Sequence, residues 1–99
     1  MDEKLNMLLK DIRRLYGDAR ILLFGSRAVG RARTDSDYDL IVISGKFEGV
    51  PFQNRAGEIW RNSDAVLAAD ILCYTPEEFQ SAPKNSSILR DALSHAVQV

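Results

Sequence analysis

Residues 21–43 read ILLFGSRAVGRARTDSDYDLIVI, and they carry the strongest indication of the fold in this chain. It opens and closes with short apolar runs, residues 21–24 and 40–43, which lie within two candidate strands, residues 20–24 and 40–44, and have turn-forming residues on both sides. Such runs suit either a strand or a buried helix. The β-branched residues of the second run and the turn residues around both favour strands.

Helical periodicity precedes and follows this pair of strands. Upstream, apolar residues alternate with charged ones at helical spacing and predict an amphipathic helix over residues 2–16, which Gly17 and Asp18 end. Downstream, a second helix is expected over residues 52–62. The inward-facing residues of that helix would be Phe52, Ala56, Ile59 and Trp60.

The C-terminal third is predicted to add one strand and two helices. The strand covers residues 68–74, and the tetrapeptide TPEE at 75–78 is a helix-start signal, with a capping threonine and a glutamate that reaches back. Pro83 is expected to keep that helix short. A last helix, capped by Ser86 or Ser87, would run to about residue 97.

The resulting order of elements, α, β, β, α, β, α, α, predicts an α/β (α+β) fold, a small mixed sheet with helices packed on it. The 99 residues are expected to form one domain, residues 1–99, without repeats or linkers. The chain has one cysteine and one histidine, so it can form neither a disulfide framework nor a thiol-rich metal site.

Composition narrows the classes of function. Hydrophobic residues make up 45% of the chain and charged residues 27%, as in ordinary soluble domains. The formal net charge of −1 argues against bulk, sequence-independent nucleic-acid binding, which needs an excess of basic side chains. No apolar run reaches the length of a membrane span and no signal peptide is recognisable, so a cytoplasmic protein is expected.

Two aspartates form the first half of a candidate site. Asp37 and Asp39 sit two residues apart at the start of a predicted strand, so both side chains would lie on one face, with Cα atoms roughly 6.6 Å apart. Tyr38 and Leu40 would point the other way, into the core. Two such carboxylates repel each other, and a divalent cation between them makes the arrangement favourable.

Gly25 and Ser26 form the second half. They follow the first strand directly, where glycine allows close approach to a phosphate and where backbone N–H groups and the serine hydroxyl donate to its oxygens. Asp70, an acidic residue in an otherwise apolar strand, is a candidate third carboxylate, because a buried unpaired acid would be costly without a chemical role.

In combination these motifs resemble the nucleotidyltransferase superfamily related to DNA polymerase beta, and in particular its minimal, single-domain members. The pattern Gly-Ser-Arg-Ala-x-Gly-x-Ala…Ser-Asp-x-Asp-Leu is present in full between Gly25 and Leu40. Asp70 follows in the later strand position. One departure is Val29, where many minimal members carry a basic residue; Arg27, Arg31 or Arg33 would then neutralise phosphate, or triphosphate binding would be weaker.

The resemblance implies a catalytic mechanism. Asp37 and Asp39 would hold two Mg²⁺ ions, and Asp70 would share the catalytic ion and activate an acceptor hydroxyl. The phosphates of ATP or another nucleoside triphosphate would bind at Gly25, Ser26 and Arg27. The reaction would be an in-line displacement at the α-phosphate that releases pyrophosphate.

The resemblance also implies a partner. Minimal members are commonly paired with an all-helical protein of the HEPN (higher-eukaryote-and-prokaryote nucleotide-binding) family, and some attach AMP to a tyrosine of that partner as the antitoxin of a toxin–antitoxin pair. The chain is too short to include such a helical domain, so a partner in trans is expected. Two alternatives stay open: a non-catalytic nucleotide-binding module that neutralises a partner, and modification of a small molecule.

Overall fold

The structure is a computed structural model that describes residues 3–24, 38–85, 90 and 93–99, with the backbone alone for 82–85. In chain order the elements are α1 (Glu3–Leu15), β1 (Arg20–Phe24), β2 (Tyr38–Ile43), a 3₁₀ turn (Gly45–Phe47), α2 (Phe52–Arg61), β3 (Ala69–Tyr74), α3 (Pro76–Asn85) and β4 (Val97–Gln98). Among these residues, no helix is long and apolar enough to cross a membrane.

The strands form one mixed sheet in the order β3-β2-β1-β4. β1 runs antiparallel to both β2 and β4, whereas β3 runs parallel to β2. A parallel neighbour requires a crossover, because the chain must return to the end of the sheet at which β2 began. Helix α2 lies in that connection. The expected α/β (α+β) fold, a small mixed sheet with packed helices, is confirmed.

One face of the sheet packs against α1 and α2. Helix α1 forms because its apolar residues recur on a single stripe, and its first and last turns carry the favourable charges, Glu3 at the start and Arg13 and Arg14 at the end. The core beneath it includes Leu8, Ile12, Leu40 and Ile59, each 0% exposed. Tyr38 and Leu40 lie in this core, as the alternation of β2 predicts.

The opposite face is smaller and is covered in part by α3. Its centre is Leu22, Ile41 and Ile43, with Phe79 of α3 packed at its margin. Side chains alternate between the faces along a strand, so Asp39, two residues before Ile41, belongs to this second face. Strand β2 is therefore buried on both sides over most of its length, and Asp39 is its only residue that is not fully buried.

Three expectations about the helices are wrong. Phe52 does not face the core: it is 46% exposed, and Arg55 is buried instead. Helix α3 does not stop before Pro83 but continues to Asn85, because a proline near the end of a helix forfeits one backbone hydrogen bond without ending it. The last predicted helix does not reach residue 97, since Val97–Gln98 pairs with β1.

Candidate active site

Asp39 and Asp70 lie side by side on neighbouring strands. The parallel register pairs β2 with β3 residue by residue, and Asp39 is the partner of Asp70. Residues that pair in this way have side chains on the same face of a sheet, with strands about 4.8 Å apart. Both carboxylates thus belong to the second face, at the end where β2 and β3 begin.

Phe24 extends this row by one strand. It is the partner of Asp39 in the antiparallel register of β1 and β2, and it packs at the margin of the second-face core. The row Phe24–Asp39–Asp70 lies directly beside the apolar row Leu22–Ile41–Leu72. The carboxylates therefore stand at the border between the hydrophobic second face and solvent.

The two aspartates differ in exposure. Asp39 is partly buried and Asp70 is exposed. The expectation that Asp70 is a buried acid needing compensation is therefore wrong, because the residue is the second of β3 and lies at the rim of the sheet. Its location beside Asp39 makes it chemically relevant. Two like charges on neighbouring strands repel each other, and a cation between them would remove that cost.

The remaining predicted site residues lie outside the described part of the chain: Gly25, Ser26, Arg27, Val29, Arg31, Arg33 and Asp37. The residues on either side of this segment do bear on the site. Phe24 ends β1 and Tyr38 opens β2, and both lie at the end of the sheet that carries Asp39 and Asp70. Within the described residues, no group of three or more acidic, histidine or cysteine side chains could hold a metal.

The opposite end of the sheet carries a polar cluster that the sequence did not predict. Arg55 is 5% exposed, and its guanidinium contacts the Glu78 carboxylate at 2.5 Å and the backbone carbonyls of Val50 and Cys73. Glu78 also accepts a hydrogen bond from the Thr75 N–H, which completes the predicted capping box. These donors hold the pKa of Glu78 at about 2, with the Arg55 hydrogen bond as the largest cause.

The Arg55 cluster borders an open cleft of about 380 Å³. Its lining includes Glu48, Glu77 and Glu78, and it begins where β3 ends. Asp70 stands at the other end of that strand, roughly 16 Å away at the rise of an extended chain. The cleft is thus separate from the carboxylate row. Two of its lining residues, Arg55 and Glu78, join α2, β3 and α3 through their hydrogen bonds and ion pair.

Cys73 has no nucleophilic role in this arrangement. It is 2% exposed within the first-face core, and desolvation raises the pKa of its thiol to about 12. A thiol in that state is protonated at neutral pH and unreactive. Cys73 is thus a small core residue of the first face.

Comparison with known proteins identifies the class. The family described as nucleotidyltransferase domain matches residues 5–97, nearly the whole chain. The protein belongs to this family, and the resemblance carried by the Gly-Ser and Asp-x-Asp motifs is confirmed. The family establishes nucleotidyl transfer as its general chemistry.

Solved structures agree on the fold. A candidate nucleotidyltransferase from Sulfolobus solfataricus superposes with a TM-score of 0.59 at 18% identity, covering 78% of this chain and 74% of that one. Another candidate nucleotidyltransferase gives 0.57 at 21% identity, covering 85% and 91%. BolA1 from Arabidopsis thaliana gives 0.55 at 14% identity, covering 79% and 98%. At these identities the likeness concerns the fold alone.

One curated relative is recognisable by sequence. The chain is 38% identical over 55 residues to Caffeine-induced protein 16 of Schizosaccharomyces pombe. That match covers 56% of this chain and 5% of the yeast protein. The chain thus spans only a small part of its relative, and the similarity concerns a domain-sized segment.

Proposed function

We propose that this protein is a Mg²⁺-dependent nucleotidyltransferase that moves a nucleoside monophosphate, AMP from ATP, to an acceptor hydroxyl. The observation that carries the proposal is the pairing of Asp39 with Asp70 on adjacent strands. Membership of the nucleotidyltransferase domain family supplies the reaction class. The family does not specify the donor or the metal; ATP as the AMP donor and Mg²⁺ as the metal are parts of our proposal.

The carboxylate oxygens of Asp39 and Asp70 are suitable ligands for magnesium. Mg²⁺ prefers hard oxygen ligands, one or two carboxylates completed by water and substrate phosphates. Asp39 and Asp70 offer two such carboxylates, and the motif adds Asp37 as a third. When bound, the metal would neutralise charge on the attacking and leaving oxygens. The three aspartates would hold it at the end of the sheet where β2 and β3 begin.

The protein's own groups would position the reactants. Gly25, Ser26 and Arg27 would bind the triphosphate, and Asp70, the exposed member of the pair, would accept the proton of the acceptor hydroxyl. The hydroxyl oxygen then bonds to the α-phosphorus, the bond from that phosphorus to the bridging oxygen of the β-phosphate breaks, and pyrophosphate leaves. The partly buried Asp39 would keep its orientation through its position beside Phe24.

The acceptor in this proposal is a tyrosine hydroxyl on a helical, HEPN-type partner protein. The chain would act in the cytoplasm as the antitoxin of a toxin–antitoxin pair, and AMP attachment would silence the toxin. The support for this finer assignment is the motif resemblance to minimal nucleotidyltransferases. Exposed Asp70 is compatible with an acceptor that arrives from another molecule.

Radiolabel transfer tests the proposal. The purified protein, MgCl₂ and α-labelled ATP are incubated with the protein encoded beside it, and label is followed on denaturing gels. Wild type should label the partner, whereas Asp39→Asn and Asp70→Asn should each lose at least about a hundredfold. Glu77→Gln is the matched control, because Glu77 is an exposed acid in the first turn of α3, beyond the far end of β3.

The same experiment separates transfer from simple binding. If neither wild type nor variants transfer label to any acceptor while ATP still binds, the protein is a nucleotide-binding module rather than an enzyme. If Asp39→Asn and Asp70→Asn keep wild-type transfer, the carboxylate row is not the active site. Folding of each variant is checked by circular dichroism.

A further inference from the structure

The hydrogen bonds between β2 and β3 fix which residues of β3 face its open edge. The Tyr38 N–H donates to the carbonyl of Ala68 at 3.1 Å, and the Ser44 N–H donates to the carbonyl of Tyr74 at 3.0 Å. The even-numbered residues of this segment thus point their backbone groups at β2. Because alternate residues of a strand point in opposite directions within the sheet, the odd-numbered ones face away.

Strand β3 is the outermost strand on this side of the described sheet. Its outward-facing backbone groups belong to Ala69, Ile71 and Cys73. The carbonyl of Cys73 is engaged by the guanidinium of Arg55 at 3.2 Å. For Ala69 and Ile71, no hydrogen bond within the described residues engages the outward groups. The backbone groups that no described residue engages thus lie on either side of Asp70, at Ala69, which is partly buried, and at Ile71, whose side chain packs in the first-face core and which is 8% exposed overall.

We propose that an extended segment of the acceptor protein adds to this edge of β3 and places its hydroxyl-bearing residue opposite Asp70. The inference rests on the proposed transfer reaction and specifies how its acceptor binds. Main-chain hydrogen bonds to Ala69 and Ile71 would supply the affinity, as in other cases of strand addition. The added segment would continue the row Phe24–Asp39–Asp70 by one strand.

The register explains why this edge suits catalysis. In an antiparallel addition, Ala69 and Ile71 would form the hydrogen-bonded pairs, so the residue opposite Asp70 would occupy a non-hydrogen-bonded pair, in which side chains lie closest. Its Cβ would stand about 4.5–5.5 Å from that of Asp70, on the same face. A tyrosine or serine hydroxyl at that position reaches the carboxylate proposed to take its proton.

Chemistry favours a polypeptide over a nucleic acid at this edge. The edge offers alternating N–H donors and carbonyl acceptors, which match another peptide backbone. A DNA backbone offers acceptors only, so DNA would leave the carbonyls of Ala69 and Ile71 unpaired. The formal net charge of −1 also gives no general electrostatic attraction for a nucleic acid.

Exposed apolar side chains just upstream support the same occupant. Residues 65–70 alternate in burial: Ala65, Leu67 and Ala69 pack against the first-face core, whereas Val66, Ala68 and Asp70 are exposed. Val66 is 80% exposed and precedes Asp70 by four residues. An added strand could bury its own alternate side chains against Val66 while presenting a hydroxyl at Asp70.

Peptide selection tests this edge directly. A phage-displayed library of random peptides with a fixed central tyrosine is selected against the whole protein in the presence of MgCl₂ and a non-hydrolysable ATP analogue. Enriched peptides are synthesised and titrated into ¹⁵N-labelled protein. We expect the amides of Ala69 and Ile71 to become protected from hydrogen exchange when peptide binds.

Three variants make the result specific. Ala69→Pro removes the outward N–H and suits an edge strand, so the ladder to β2 stays intact, and it should weaken peptide binding at least about tenfold. Ala69→Val keeps the N–H and is the matched control. Val66→Asp changes only an exposed side chain and should also weaken binding, which keeps the test decisive if Ala69→Pro folds poorly.

Two results would overturn the edge as the acceptor site: selected peptides that bind Ala69→Pro and Val66→Asp as tightly as Ala69→Val, or a selection without any peptide that protects Ala69 and Ile71. Asp70→Asn separates docking from the transfer reaction: it removes the proposed proton acceptor and leaves the outward backbone groups of Ala69 and Ile71 in place, so peptides should still dock but should receive no label. If peptides dock at the edge but never receive label from ATP, the reaction fails and the docking edge stands. If label transfer to the partner is unchanged in Ala69→Pro and Val66→Asp, the transfer reaction stands and the edge of β3 is not the acceptor site.

Discussion

The guanidinium of Arg55 lies 2.5 Å from the carboxylate of Glu78, and its charge is taken almost wholly out of water. The aromatic rings of Phe47 and Phe52 lie 5.8 and 5.7 Å from it. This one side chain joins α2 to the end of β3 and to the start of α3. It also explains why Phe52 is half exposed: the ring covers Arg55 instead of entering the core.

Loss of the Glu78 carboxylate should destabilise the fold. Glu78→Gln leaves the buried Arg55 charge without its carboxylate partner and weakens the cap on α3. A fully buried pair would cost about 3–5 kcal/mol to break. Because the Glu78 side chain is 44% exposed, water replaces part of the interaction, and we expect about 1–3 kcal/mol. Urea unfolding measures the difference.

Glu77→Gln serves as the control for that variant, since it changes the neighbouring exposed acid and should stay within about 0.5 kcal/mol of wild type. Equal stability of Glu78→Gln and Glu77→Gln would show that the ion pair contributes nothing to stability.

Stability should fall in acid through the same residue. The pKa of Glu78 is held at about 2 in the folded protein, against an ordinary value of 4.5. A lowered folded-state pKa contributes stability that is fully present above about pH 4.5 and is lost as the pH falls towards 2. Urea unfolding between these pH values should show a steep decline for wild type.

The decline should be shallower in Glu78→Gln, which no longer binds that proton. It should not vanish, because hydrogen bonds from Ser44 and Ser63 also lower the pKa values of Asp18 and Asp11. Parallel curves for wild type and Glu78→Gln would contradict the assignment.

Magnesium should stabilise the folded protein through the carboxylate row. A ligand that binds only the folded state adds about 2.7 kcal/mol at one hundred times its dissociation constant. We expect the melting temperature to rise with MgCl₂ and to return to its starting value with EDTA. Asp39→Asn and Asp70→Asn should lose this response, because each removes one of the two paired carboxylates that would hold the ion.

A calorimetric scan of wild type and both variants, with and without MgCl₂, decides the matter. A magnesium response that survives in both variants would place the ion elsewhere. Potassium chloride at equal ionic strength controls for general screening.

Cys73 should report the opening of the core. Its burial and its raised thiol pKa, about 12, predict that a thiol reagent such as DTNB reacts with it only after unfolding. Reaction in native buffer should be slower than in denaturant by orders of magnitude, following the population of the open state. Rapid labelling of the native protein would mean that β3 detaches readily from the sheet.

The sequence predicted most elements because apolar periodicity is strong in them. The residues of α1 and β1 show a clear helical stripe and a clear apolar run, and the structure places both within a residue or two of expectation. Burial of Arg55 escaped prediction because the charged side chain is stabilised by a partner in α3, distant in sequence. The strand at Val97–Gln98 escaped because two residues carry no periodicity, and only pairing with β1 defines it.

The sequence named residues of the candidate site but did not predict their pairing or their exposure. The motif named Asp39 and Asp70, but only the parallel register of β2 and β3 brings them together, and register depends on the crossover through α2. The burial expected of Asp70 was wrong because apolar neighbours along the chain do not reveal where a strand meets the rim of a sheet. Asp37, Gly25, Ser26 and Arg27 stay predictions.

The parallel alignment of β3 with β2 has a kinetic consequence. Asp39 and Asp70 are far apart in sequence, and they meet only after the whole connection through α2 has closed a long loop, a slow and entropically costly event. The β1–β2 hairpin could form earlier without assembling the carboxylate pair. The ability to catalyse transfer would then be among the last properties acquired during folding and among the first lost when β3 separates from β2. A partly folded chain would therefore be inactive.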